Sequence, residues 1–122
     1  MEKIIEIDGQ KVNMKATAAT PRKYRIMFRR DIMSDMVTLS KSLKNAESGE
    51  AEFSRMDLEI FENVAFIMAK QGGSKAADID EWLDNFKMFD IYTVLPQILE
   101  MWNIETETLI DSKKNLQKVI GS

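Results

Sequence analysis

The chain has 122 residues, 44% hydrophobic and 30% charged, with a formal charge of −3, which makes one soluble globular domain with room for a single hydrophobic core. It holds no cysteine and no histidine. This excludes disulfides, thiolate metal sites and cysteine nucleophiles, removes the commonest general base and metal ligand, and leaves a non-enzymatic, cofactor-free and metal-free protein as the expectation.

No apolar run reaches the ~18 residues of a membrane span, and the amino terminus shows no signal-peptide pattern. The modest net charge is unevenly spread. Residues 1–45 hold ten Lys/Arg against five Asp/Glu, and residues 46–122 hold seven against fifteen. Such polarity can steer association between copies of the chain or with a charged partner.

Lys3 to Ile7, Asp8-Gly9 and Gln10 to Ala16 read as a β-hairpin, because Asp-Gly tolerates the positive φ angles of a type I′ turn. Ile5 and Ile7 alternate on one side, with Val12 and Met14 opposite. An isolated hairpin is marginal in water, so this one must lie on helices or on a neighbouring subunit.

Thr20-Pro21 opens a helix, with Thr20 as its cap and Pro21 at the first helical position. Tyr24, Phe28 and Ile32, with Met27 beside them, form its inward stripe. Arg22, Arg25 and Arg29 project on a different face, flanked by Lys23 and Arg30, and are the candidate partner-binding residues. A basic face of this kind can read nucleic-acid phosphates, the basis of an alternative function as a helical DNA-binding regulator or adaptor. The overall acidity, the shortness of the patch and the lack of interleaved exposed aromatics weigh against that alternative.

Ile32, Met36, Leu39 and Leu43 continue as one core-facing stripe. Lys44 to Glu52 is polar, aperiodic and contains Gly49, which predicts a loop. Ser54 and Asp57 form a variant capping box for a helix to about Gln71. In it Leu58, Phe61, Ala65 and Met68 line one side and Ile60, Val64 and Ile67 the next, an arc wide enough for a central helix. Gly72-Gly73 closes it.

Asp80 to Phe86 reads as a short helix presenting Trp82, Leu83 and Phe86 to the core. The acids Asp78, Asp80, Glu81 and Asp84 lack calcium-loop spacing and instead complement the helix macrodipole. From Phe89 to Asn103 runs the densest apolar segment, with Leu95, Ile98, Leu99 and Trp102 on one face and Ile91 a turn earlier. Pro96 predicts either a kink or a new helix start, and Asn103 a stop. Residues 105–122 read as a flexible tail, so the domain spans 1–104 with its hairpin at 1–16. The expected fold is mainly α: four to five helices with an N-terminal β-hairpin.

Two blocks carry a family resemblance. Ile91-Tyr92-x-Val94-Leu95-Pro96-x-Ile98-Leu99-x-x-Trp102-Asn103, and Thr20-Pro21 with Tyr24-Arg25 and Arg30-Asp31-Ile32, resemble the tail assembly chaperones of long-tailed phages and prophages of Gram-positive bacteria. In that family a glycine often precedes the Arg-Asp-Ile, where Arg29 stands here. The resemblance implies a protein of the host cytoplasm, absent from the mature virion, that binds the tape measure protein and keeps it soluble and extended. It also implies recruitment of major tail tube subunits through a frameshifted longer form, and self-association into rings or spirals. Lys113-Lys114-Asn115 can be encoded with the slippery heptamer A-AAA-AAC, which fits a frameshift near the end of a short reading frame. A large share of Met, nine residues, supplies adaptable apolar contacts for a helical partner.

Overall fold

The computed structural model describes residues 1–104; the expected tail and the Lys113-Lys114-Asn115 run lie outside them. A hairpin of β1 (Glu2–Ile7) and β2 (Gln10–Lys15) precedes helices α1 (Thr20–Phe28), α2 (Ile32–Glu47), α3 (Arg55–Gln71), α4 (Ile79–Leu83) and α5 (Ile91–Met101). The fold is mainly α with an N-terminal hairpin, as the residue pattern predicts.

Asp8 and Gly9 sit at φ 53° and 75°, the two positive angles a type I′ turn demands, and this sets the register from Ile7↔Gln10 to Glu2↔Lys15. Ile5, Ile7 and Met14 are thereby buried on the inner face. On the outer face Glu2 stands opposite Lys15 and Glu6 opposite Lys11, pairing opposite charges across the strands.

The hairpin lies on helices. β2 rests against α3 and β1 against α5. Gly72 makes the first contact possible: the Asn13 carbonyl would be 2.0 Å from a Cβ there. The Asn13 side chain donates back to the Gly72 carbonyl at 2.9 Å. At the other strand Gln97 of α5 exchanges two long hydrogen bonds of 3.4 Å with the backbone of Glu6.

Helix α3 touches β2 and every other helix, the central role its wide apolar arc implies. The capping box forms as expected, with Asp57 N–H donating to Ser54 Oγ at 3.0 Å and Ser54 N–H to Asp57 Oδ2 at 2.9 Å. Around α3 the aromatic rings gather. Phe61 stacks on Phe89 at 4.6 Å, and Trp82 meets Phe86 and Phe89 edge-on at 5.3 and 5.4 Å. Leu58 departs from the expected stripe and is exposed. It shares a face with Ala65, but that face is covered only further along the helix.

Four local expectations are corrected. Thr20 is not the cap of α1: Ala19 is, without a side-chain bond, and Thr20 is a buried first-turn residue. Its hydroxyl accepts from Thr17 N–H at 2.8 Å and donates to Gln71 Oε1, so it serves tertiary anchoring instead. The predicted Lys44–Glu52 loop begins later, because α2 runs to Glu47. Lys44, Ala46 and Glu47 are good helix formers, and their lack of periodicity reflects an exposed last turn.

Helix α4 stops at Leu83, capped at its start by Asp78, and leaves Phe86 in the turn that follows. Pro96 does not restart a helix. It sits exposed inside one uninterrupted α5, where the missing N–H lies on the solvent side. Asn103 does end α5, at φ 56°: its N–H bonds Glu100 O, and Ile104 N–H bonds Leu99 O. This is a Schellman closure with the buried Ile104 folded back over Leu99.

The close approach at Gly72 yields a direct test. Gly72→Ala must displace the β2 backbone from α3 and should cost about 2 kcal/mol, read as a lower urea midpoint with an unchanged slope.

Candidate protein-binding surface

The surface begins with a buried carboxylate. Asp35, in the first turn of α2, is almost fully buried and accepts from Tyr24 Oη at 2.6 Å, Arg30 Nε at 2.9 Å and Arg30 Nη2 at 2.8 Å. The bidentate Arg30 and the phenol clamp the end of α1 onto the start of α2. Burial, then the hydrogen bond and negative charge of Asp35, push the Tyr24 phenol far above its ordinary range, with Arg30 opposing.

Between the two helices the chain turns at Arg29, which adopts φ 59° and ψ 36°, the left-handed region. Asp31 then caps α2, accepting from Ser34 N–H at 3.0 Å. The break between α1 and α2 is therefore real, and it falls on Arg29.

Arg22, Arg25 and Arg29 are all exposed. Arg22 and Arg25 stand on α1 itself, with Lys23 beside them, whereas Arg29 projects from the turn just beyond it. Arg30 is exposed as well, but its guanidinium is taken up by Asp35 and adds no free charge to the basic face. None of Arg22, Lys23, Arg25 and Arg29 forms an ion pair; those among the described residues are Lys3–Glu100 and Arg30–Asp35.

The periodicity missed one property of this helix. Ile26 is 58% exposed, and Met27, expected to face inward, is 49% exposed. With Tyr24 committed to Asp35, the buried stripe of α1 is too narrow to take them in. They flank an open cleft of about 460 Å³ between α1 and α3, completed by Lys23, Ile67, Lys70 and Gln71. Lys70 is occupied, donating to the Ala76 carbonyl at 2.9 Å.

Elsewhere, burial and the neighbouring Glu59 and Asp80 carboxylates raise the Glu62 pKa. Among the described residues no group of acids is arranged to hold a metal ion, and no helix is long and apolar enough to cross a membrane. Compared with protein families, curated proteins and solved structures, the chain matches none.

Two predictions follow from the α1–α2 corner. An arginine in the left-handed region is strained where glycine is not, so Arg29→Gly should raise stability by about 0.5 kcal/mol, less the extra chain entropy of glycine, in urea denaturation. Tyr24 has a folded pKa above the unfolded phenol's. Its contribution is complete below about pH 10, the unfolded value, and is lost progressively as pH rises from there through the higher folded pKa. Tyr24→Phe should lower stability by about 2 kcal/mol at neutral pH and flatten the loss above pH 10, measured by denaturation at a series of pH values.

Proposed function

We propose that this chain is a tail assembly chaperone of a long-tailed phage or prophage. It acts without catalysis, in the host cytoplasm and outside the finished virion. It binds the tape measure protein, keeps it soluble and extended, and helps recruit major tail tube subunits as the tube polymerises. A longer form made by frameshifting at the codons for Lys113, Lys114 and Asn115 would carry that recruitment.

Arg29 is the observation that carries the reading. The family often has glycine before its Arg-Asp-Ile, and here that position holds the left-handed backbone which glycine adopts freely. A resemblance in letters is thus accompanied by a backbone requirement at a place where the letters differ. The Thr-Pro opening and the Ile91–Asn103 block fall on α1 and α5, two helices of the same core.

Arg22, Arg25 and Arg29, without an ion-pair partner among the described residues, support a surface for a negatively charged protein. A DNA-binding regulator would use the same cations, but Ile26 and Met27 stand exposed among them, where a phosphate backbone has nothing to cover them.

Co-expression with the tape measure protein tests the proposal. The wild-type chain should hold it in the soluble fraction and coprecipitate with it. Reversing Arg22, Arg25 and Arg29 to Glu should abolish capture while leaving circular dichroism and the unfolding midpoint within about 0.5 kcal/mol of wild type. Unchanged capture and sedimentation would remove this face from the binding site. Binding to random duplex DNA with a steep salt dependence, and no tape-measure capture, would transfer the function to the regulator class.

A further inference from the structure

The cleft between α1 and α3 sets exposed apolar and basic side chains side by side. Its α1 wall is Ile26 and Met27, both about half exposed, and it reaches Ile67 of α3. Along the same helix stand Arg22, Lys23 and Arg25, without an acidic partner among the described residues and without an acid in the first turn of α1. Lysine and arginine stems can shade apolar neighbours, but here the neighbours stay open to solvent.

We propose that this cleft seats an acidic amphipathic helix of a partner protein. One apolar side chain per turn packs on Ile26 and Met27 above the buried Ile67, and flanking carboxylates meet Arg22, Lys23 and Arg25. The charge selects the partner's sign. The apolar cleft selects a helix face over a phosphate chain or an unstructured acidic tail. The inference rests on the chaperone reading only in taking the tape measure protein as the natural source of that helix.

The full chain can be tested with a labelled peptide of about 20 residues built from Ala, Leu and Glu, with Leu on one face, long enough to form a helix once bound. Two control peptides replace its Glu by Lys, or its Leu by Ala. Fluorescence anisotropy should show binding of the acidic Leu peptide and at least tenfold weaker binding of both controls, a difference of about 1.4 kcal/mol. Met27→Glu should weaken the acidic Leu peptide at least tenfold. Ile26→Ser should act in the same direction, and both exposed positions should leave the fold unchanged by circular dichroism.

Equal binding of the acidic Leu and acidic Ala peptides would overturn the proposal by reducing the site to bare charge. So would a Met27→Glu variant that binds as wild type. Sedimentation covers the remaining occupant: an oligomer dispersed by Met27→Glu, with no peptide bound, would assign the cleft to a second copy of this chain and overturn it too. The two readings fail separately. If the tape measure protein coprecipitates equally with wild type and Met27→Glu, the cleft inference falls and the chaperone reading stands. If the peptide binds and the tape measure protein does not, the reverse holds.

Discussion

The arrangement of this chain's exposed surface depends on one buried negative charge. A carboxylate as enclosed as Asp35 is stable only when its oxygens are occupied by good donors, and both donors come from the α1 side of the corner. Tyr24 reaches it from within α1, and Arg30 reaches it from the turn. That requirement fixes the rotation of α1 about its own axis. With Tyr24 inward, Ile26 and Met27 must look out, and Arg22 and Arg25 follow them to the surface. The same bond spends the charge of Arg30, which stays exposed. What the chain presents to a partner is therefore a by-product of how it neutralises one interior charge.

Helix α3 carries the rest. Its first turn is self-sufficient, closed by the reciprocal Ser54 and Asp57 bonds, while its last turn is given over to neighbours. There Gln71 joins Thr17 ahead of α1 and Thr20 in its first turn, and Gly72 admits the backbone of β2. The hairpin and the basic helix are thus fastened to adjacent residues of one helix end. A change at that end would disturb both, which makes it a poor place to probe binding by mutation and a good place to probe assembly of the fold.

Much of the fold was legible in the residues because the strongest signals are local. Asp8-Gly9 dictates its turn, Ser54 and Asp57 their box, and Ile32, Met36, Leu39 and Leu43 one buried face. Two of the errors share a cause: a side chain with two possible partners took the one that spacing does not reveal. Thr20 left the cap for Gln71, and Arg30, while still exposed, gave its guanidinium to Asp35. Spacing cannot weigh such choices, since Asp35 reads as an ordinary exposed acid near a helix start. The basic residues of the candidate site were identifiable from composition alone. Its apolar half was not, because Met27 sits beside the Tyr24 and Phe28 stripe and only the narrowness of the real contact leaves it outside.

Gln97 has a consequence for how the molecule behaves in a crowd. Met1 and Ala16 exchange both backbone bonds, so alternation along the hairpin turns the N–H and C=O of Glu2, Ile4 and Glu6 away from β2. Such a row is a template on which strands of other molecules can add, the first step of edge-to-edge aggregation. The carboxamide of Gln97 gives Glu6 both an acceptor and a donor, as a residue of a third strand would. Glu2 places a charge at the other end of the row. One side chain from the last helix thus stands in for a third strand at one end of the β1 edge, and shortens the row on which another molecule's strand could add.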